Sequence, residues 1–157
     1  MAEVQIRRAA ADDVEALLDL WEELMRYHAR LDRRFRATVD AREPFRETLE
    51  QWMADESKQV LVAESEGKMI GYTIGHLAEN PPIFELRHYG HVSDICVAPE
   101  WRRKGIGRKL FGALRNWFRQ HGLSVLQLSV AARNPVSQAF WRQMGFEEFT
   151  HKMWLAM

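Results

Sequence analysis

The segment from Asp94 to Lys109 constrains the fold more than any other part of the chain. It reads Asp-Ile-Cys-Val-Ala-Pro-Glu-Trp-Arg-Arg-Lys-Gly-Ile-Gly-Arg-Lys, a strand pattern that passes through a glycine turn into an amphipathic helix. Unpaired backbone N–H groups and the positive end of a helix dipole meet in such a turn, so it favours anions. Gly105 and Gly107 lack the Cβ atoms that would keep an anion away from the backbone.

Local charge indicates that the anion carries more than one charge. Arg102, Arg103, Lys104, Arg108 and Lys109 lie in and beside the turn with no acidic residue between them. The whole chain, in contrast, has 22 Lys and Arg against 22 Asp and Glu. A partner attracted by overall charge, such as duplex DNA or an anionic membrane, is therefore not favoured.

Spacing excludes two common phosphate-binding loops. A Walker loop needs four residues between its glycines and then Lys and Ser or Thr, and a dinucleotide fingerprint needs a third glycine where Leu110 stands. The remaining pattern, Arg102-x-x-Gly105-x-Gly107, resembles the signature of the GNAT superfamily of N-acetyltransferases, in which the turn holds the pyrophosphate of acetyl-CoA. Residues 134–146, Asn-Pro-Val-Ser-Gln-Ala-Phe-Trp-Arg-Gln-Met-Gly-Phe, resemble the family's second motif, whose helix lies beside the pantetheine arm.

The predicted element order resembles the same fold over nearly the whole chain. Hydrophobic periodicity predicts β-α-α-β-β-β-α-β-α-β, an α/β class with a mixed β-sheet flanked by helices, whose last strand runs from Phe146 to Met157. A chain of 157 residues with 46% hydrophobic content suits a single N-acetyltransferase domain over residues 1–157. The resemblance further implies splayed central strands, with Val92–Val97 and Val125–Val130 opening a V-shaped slot.

The resemblance implies an acyltransferase that moves the acetyl group of acetyl-CoA to a primary amine of a small molecule or peptide by direct attack in a ternary complex. Backbone groups near Ile95 and Val97 would bind the pantetheine. Cys96 between them is expected to be a buried, inert thiol, because neither a base nor a helix N-terminus activates it. The predicted cosubstrate contacts are Ile95, Cys96, Val97, Arg102, Arg103, Lys104, Gly105, Ile106, Gly107, Arg108, Asn134, Ser137, Phe140 and Trp141.

The attacking amine must be uncharged, and deprotonating a lysine-like amine at pH 7 costs about 4–5 kcal/mol. Asp94 is the predicted base, acting through an ordered water as strand carboxylates do in related enzymes, and His91 is the alternative. Two further candidate bases on or before the same strand are His88 and Glu85. His88 and His91 would point to opposite faces of a strand, so no metal site is predicted.

The acid that protonates the leaving thiolate departs from the family pattern. Many relatives carry a tyrosine where Trp141 stands, and an indole cannot donate this proton. Tyr89 or water is the expected substitute. The missing tyrosine also keeps open an alternative function, a non-catalytic acyl-CoA sensor with the same fold.

An acceptor wall is predicted around the first two helices. Residues 26–46 carry seven arginines against three acidic residues. This excess predicts an amine that also bears a carboxylate or phosphate, bound by Arg33 and Arg36, while a solvated helix face is the alternative.

Three expectations concern assembly and location. The last strand is apolar on both faces around Trp154, which predicts a homodimer through a sheet edge. The chain shows no apolar leader and no run of about 20 apolar residues, so a cytoplasmic protein without a membrane partner is expected. Neutral overall charge disfavours a nucleic-acid partner.

Overall fold

One mixed sheet with helices on both faces organises the chain. The computed structural model describes residues 2–157, with β1 at Gln5–Arg8, α1 at Val14–Leu31, α2 at Arg42–Ala54, β2 at Lys58–Ser65, β3 at Lys68–Glu79, β4 at His88–Val97, α3 at Ile106–Gln120, β5 at Leu126–Leu128 and α4 at Pro135–Gln143. The strands lie in the order β1-β2-β3-β4-β5. The first four pair antiparallel, and β5 pairs parallel to β4. The predicted α/β class is confirmed.

The predicted last strand from Phe146 to Met157 is wrong. No part of this segment is a strand, although its apolar pattern is that of one. Its large side chains are exposed, with Trp154 at 69% and Leu155 at 81%. A strand forms only where it can pair with the edge of a neighbouring strand. The edge strand beyond β4 is β5, and its three residues offer too few hydrogen bonds to pair with so long a segment.

Each face of the sheet has its own core. On one face, α1 and α2 place Leu17, Leu18 and Leu49 in a cluster with Tyr72 of β3. On the other, α3 buries Phe118, and this packing requires Gly90 in β4. A Cβ at Gly90 would lie 2.6 Å from side-chain atoms of both Phe118 and Leu126, so only glycine lets α3 and β5 approach this closely.

A slot opens between β4 and β5. The two strands pair at three positions only, Gly90 with Leu126, His91 with Gln127 and Val92 with Leu128. Beyond Val92, β4 continues to pair with β3, but no strand among residues 2–157 occupies its other edge. The edge of β4 from Ser93 to Val97 therefore has no strand partner, as expected for a V-shaped slot.

Candidate active site

The glycine turn at the end of β4 has the backbone geometry that the predicted anion cradle requires. Arg103 and Gly105 adopt left-handed backbone conformations, with φ of 59° and 80°, and α3 starts directly after them. The first helical hydrogen bond joins Lys109 N to the carbonyl of Gly105 at 3.1 Å. The N–H groups of residues 103–108 donate to no acceptor among residues 2–157. They are available to an anion at the positive end of α3.

The basic side chains around the turn have different roles. Arg102 folds back on the turn, where its Nε donates to the carbonyl of Val97 at 2.9 Å and its Nη2 lies 3.5 Å from Glu23 Oε1. Lys104 places its ammonium 5.2 Å from the Trp101 ring centre. Arg103 and Arg108 are exposed and form no ion pair within the described part of the chain. Arg102 thus shapes the turn, and its neighbours supply positive charge to an anion.

Helix α4 packs directly against the first turn of α3. Asn134 caps it, because its Oδ1 accepts a hydrogen bond from Ser137 N at 3.1 Å. A Cβ at Gly107 would lie 3.3 Å from the Phe140 ring, so Gly107 permits this close contact. Trp141 is 6% exposed, with its ring centre 5.4 Å from that of Phe111. Trp141 therefore packs in the core, and cosubstrate contacts by α4 stay predictions.

Two other predicted cosubstrate contacts are restricted to the backbone. The Ile106 side chain is 3% exposed and packs in the core beneath the turn. Cys96 is 4% exposed, and its Sγ donates to the carbonyl of Leu20 at 3.6 Å. The expected burial of this cysteine is confirmed, and burial raises the pKa of its thiol to about 12, so its lack of reactivity stays a prediction.

A bulge at Ser93 decides which side chains of β4 share a face. Ile74 of β3 pairs with Asp94, but the next residue, Gly75, pairs with Val92. One extra residue in β4 at this point places His91 and Asp94 on the same face of the sheet, although they are three residues apart. This face is the one covered by α1 and α2, and we call it the acceptor face.

Asp94 lies on the acceptor face just where the slot opens. Its carboxylate is half-buried and receives no hydrogen bond from residues 2–157. Its backbone carbonyl is fixed by Thr73 Oγ1 at 2.8 Å. Burial raises the pKa of Asp94 to about 7, so the group can exchange a proton near neutral pH.

His91, the alternative base, has a neighbour that sequence reasoning missed. His76 of β3 is its register partner, with ring centres 4.9 Å apart, and Ser93 Oγ lies 3.3 Å from His76 Nδ1. Burial lowers the pKa of both rings, and the charges of His91 and Lys58 lower that of His76 further. No local motif marks His76, because only the β3–β4 register shows that it faces His91.

The remaining candidates on or before β4 lie further from the slot. Tyr89 is half-buried and precedes His91 by two residues, so it faces the same side. His88 is exposed at the start of β4, with its Nδ1 3.6 Å from Glu79 Oε1. Glu85 is exposed in the loop before β4.

The acceptor wall keeps fewer free arginines than the sequence count suggests. Arg34 binds Asp32, and the other two paired arginines, Arg42 and Arg46, both bind Glu15. Hydrogen bonds from Arg34, together with the charge of Arg133 in the loop after β5, lower the pKa of Asp32 to about 2. The α1–α2 loop therefore lies near the β5 side of the slot. Two exposed arginines of this loop, Arg33 and Arg36, have no ion-pair partner in residues 2–157.

Residues 2–157 contain neither a metal-ligand cluster nor a membrane-spanning helix. No group of three or more His, Cys, Asp or Glu side chains is arranged to hold a metal ion. No helix combines the length and the apolar character needed to cross a membrane.

The chain is similar to known proteins in sequence and in fold. Residues 17–146 match the family described as Acetyltransferase (GNAT) family. The uncharacterized N-acetyltransferase YhfO of Bacillus subtilis strain 168 is 25% identical over 147 residues, which are 94% of this chain and 92% of that protein. The aminoglycoside N(6')-acetyltransferase type 1 of Stenotrophomonas maltophilia is 28% identical over 126 residues, 75% of this chain and 78% of that protein. The structure of aminoglycoside N-acetyltransferase AAC(6')-Iy in complex with CoA shares the fold, with a TM-score of 0.79 at 18% identity over 100% of this chain and 96% of that one.

Proposed function

The chain belongs to the Acetyltransferase (GNAT) family of acyltransferases, and on that premise we propose that it transfers the acetyl group of acetyl-CoA to a primary amine of a small molecule or peptide. One observation carries the proposal. The free N–H groups of residues 103–108 lie at the end of the same strand whose unpaired edge begins at Ser93 and whose Asp94 has a pKa of about 7. A diphosphate bound at the turn directs a thioester along that edge toward the base.

The residues act in a fixed order along β4. The turn binds the diphosphate, and backbone groups at Ile95 and Val97 bind the pantetheine arm. Acetyl-CoA supplies the activated thioester. Asp94 accepts a proton from the ammonium through a water, so that the amine's lone pair can attack the carbonyl carbon directly. The C–S bond then breaks, the nitrogen releases its remaining extra proton to solvent to give the neutral amide, and Tyr89 or water protonates the thiolate.

A product assay tests this function. Incubation with acetyl-CoA and a panel of amines should yield an acetylated amine by mass spectrometry, together with one equivalent of free CoA thiol. Binding of CoA by calorimetry without any product from the panel would instead support the acyl-CoA sensor.

The acceptor is proposed to carry a carboxylate or phosphate beside its amine. Arg33 and Arg36 are free cations on the α1–α2 loop, and an ion pair with an anionic group raises affinity by a few kcal/mol when it excludes water. The relative from Stenotrophomonas maltophilia, in contrast, is named for an aminoglycoside. The panel therefore includes amino acids, aminophosphonates, polyamines and aminoglycosides.

Arg36→Gln should raise KM for the preferred anionic amine about 10-fold, while the Kd for CoA stays unchanged. Arg119→Gln is the matched control, because Arg119 is exposed on α3, on the opposite face of the sheet. Steady-state kinetics with both variants measure the effect. A wild-type preference for polyamines would contradict the proposed acceptor class.

The protein is further proposed to be a homodimer. Residues 147–157 make no backbone hydrogen bonds within the described chain, and Met153, Trp154 and Leu155 are each more than two-thirds exposed. Two side-chain contacts join the segment to the rest of the described chain: Arg142 Nη2 lies 2.5 Å from Glu148 Oε1, and the Arg34 guanidinium lies 5.8 Å from the Trp154 ring centre. An unpaired apolar segment of this kind gains hydrogen bonds and burial by pairing with a second copy.

Light scattering at tens of micromolar should give the mass of a dimer, and Trp154→Glu should reduce it to that of a monomer. Ile83→Glu serves as the control, because Ile83 is 85% exposed in the loop between β3 and β4. A wild-type monomer would contradict the proposal. The proposed cellular location is the cytoplasm, where acetyl-CoA is available to the domain over residues 1–157.

A further inference from the structure

The side chain of Tyr72 is buried beneath the acceptor face with an unpartnered hydroxyl. Its exposed fraction is 0%, and its Oη has no hydrogen-bond partner among residues 2–157. Buried hydroxyl groups in folded proteins are nearly always bonded to protein or to ordered water. Tyr72 therefore needs a partner that the described chain does not supply directly.

The Asp94 carboxylate is the hydrogen-bond acceptor best placed to interact with the Tyr72 hydroxyl. Tyr72 pairs in register with Cys96, two residues along β4 from Asp94, which makes Tyr72 and Asp94 diagonal neighbours on one face. Diagonal neighbours lie within reach of an aromatic side chain. The Asp94 carboxylate likewise receives no hydrogen bond from residues 2–157. An orphan donor and a free acceptor thus share one face of the sheet.

Burial keeps the Tyr72 phenol in its donor form. It raises the pKa of the phenol well above the usual value, and the negative charge of ionised Asp94 raises it further. Burial alone raises the pKa of Asp94. The other titratable groups around this face are His76 on β3, His91 and Cys96 on β4, and, through its effect on Cys96, Glu23 of α1 with its partner Arg102.

We propose that the Tyr72 hydroxyl and the Asp94 carboxylate hold one ordered water between them, and that Tyr72 is the positioning residue for the base. This inference rests on the proposed function, because it names what holds the water through which Asp94 acts. An N–H bond of the ammonium breaks, the proton passes to the water, and a proton of that water passes to Asp94. Tyr72 donates a hydrogen bond throughout and keeps its own proton.

The test is Tyr72→Phe, which keeps the buried ring and removes only the hydroxyl. A lost donor destabilises ionised Asp94, so the pH at which kcat/KM is half-maximal should rise by about half a unit to one unit. We expect kcat to fall about 10-fold and the acceptor KM to change less than 2-fold. Tyr27→Phe on α1 is the control, because Tyr27 is not among the core residues of this face and its hydroxyl makes no hydrogen bond to residues 2–157.

A second measurement needs no acceptor. Carbon-13 NMR of the aspartate carboxyl groups in the intact protein, with the Asp94 resonance assigned by its loss in Asp94→Asn, should show a higher Asp94 pKa in Tyr72→Phe. An unchanged Asp94 pKa would overturn the inference. If no amine is acetylated but this pKa still rises, the proposed function fails while the link between Tyr72 and Asp94 stands.

Non-additivity gives a third criterion. The double variant Tyr72→Phe with Asp94→Asn should lose no more kcat than Asp94→Asn alone, because the hydroxyl acts only through the carboxylate. Losses that multiply would show that Tyr72 acts independently and would also overturn the inference.

Discussion

Asp94→Asn should lower kcat by about 10²- to 10⁴-fold, the usual contribution of a general base. Asparagine has the same shape but cannot accept the proton from the water. In the wild-type protein, Asp94 is protonated and inactive below its pKa of about 7, so kcat/KM should rise with pH and level off above that value. Stopped-assay kinetics between pH 5 and 9 measure both effects.

The same variant should be more stable than the wild type at alkaline pH. Burial raises the folded-state pKa of Asp94 from 3.8 to about 7, so ionisation costs stability as pH rises through that interval, and the full cost applies above it. After discounting for the carboxylate's partial exposure, we expect a gain of at least about 1 kcal/mol, or about 2–4 °C in Tm, at pH 8. At pH 4 the two proteins should unfold at the same temperature. If Asp94→Asn is active and His91→Gln is inactive, the general base is His91 and not Asp94.

Gly107→Asp should weaken CoA binding by about 100-fold. The new carboxylate would stand at the N-terminus of α3, where the free N–H groups of residues 103–108 lie. Two like charges about 4 Å apart near a protein surface repel by about 4 kcal/mol, and solvent reduces that value. Isothermal titration calorimetry with CoA measures the change in Kd.

Two control variants separate the effect of the added charge on CoA binding from the effect of the added side-chain volume. Gly107→Asn adds nearly the same volume, and its Cβ meets the same Phe140 ring at 3.3 Å, so it reports the steric part alone. Gly112→Asp places the same carboxylate further along α3, where a Cβ meets nothing within 4 Å. Equal CoA affinity in Gly107→Asp and Gly112→Asp would contradict an anion cradle at residues 103–108.

Local chemistry made the cradle predictable from sequence. The spacing of Gly105 and Gly107, with basic residues on both sides, determines the turn and the start of α3 within a few residues. The capping of α4 by Asn134 is local in the same sense. Both features are set by neighbours in the chain, so sequence reasoning found them.

Features that depend on strand pairing were not predictable in the same way. His76 joins the site because β3 pairs with β4 in one particular register, and the strand pattern alone does not state that register. The segment after Phe146 has the alternation of a strand, but a strand forms only beside an available edge. The family resemblance draws attention to Trp141, yet only the packing against Phe111 shows that its ring is buried.

The extra residue at Ser93 makes the catalytic strand sensitive to length as well as to composition. Losing one residue there would shift the phase of the segment before it, so that His91 would turn toward α3 and Gly90 would no longer meet Phe118. Substitutions along β4 can therefore alter acceptor preference without moving side chains to the other face of the sheet, as an insertion or deletion would.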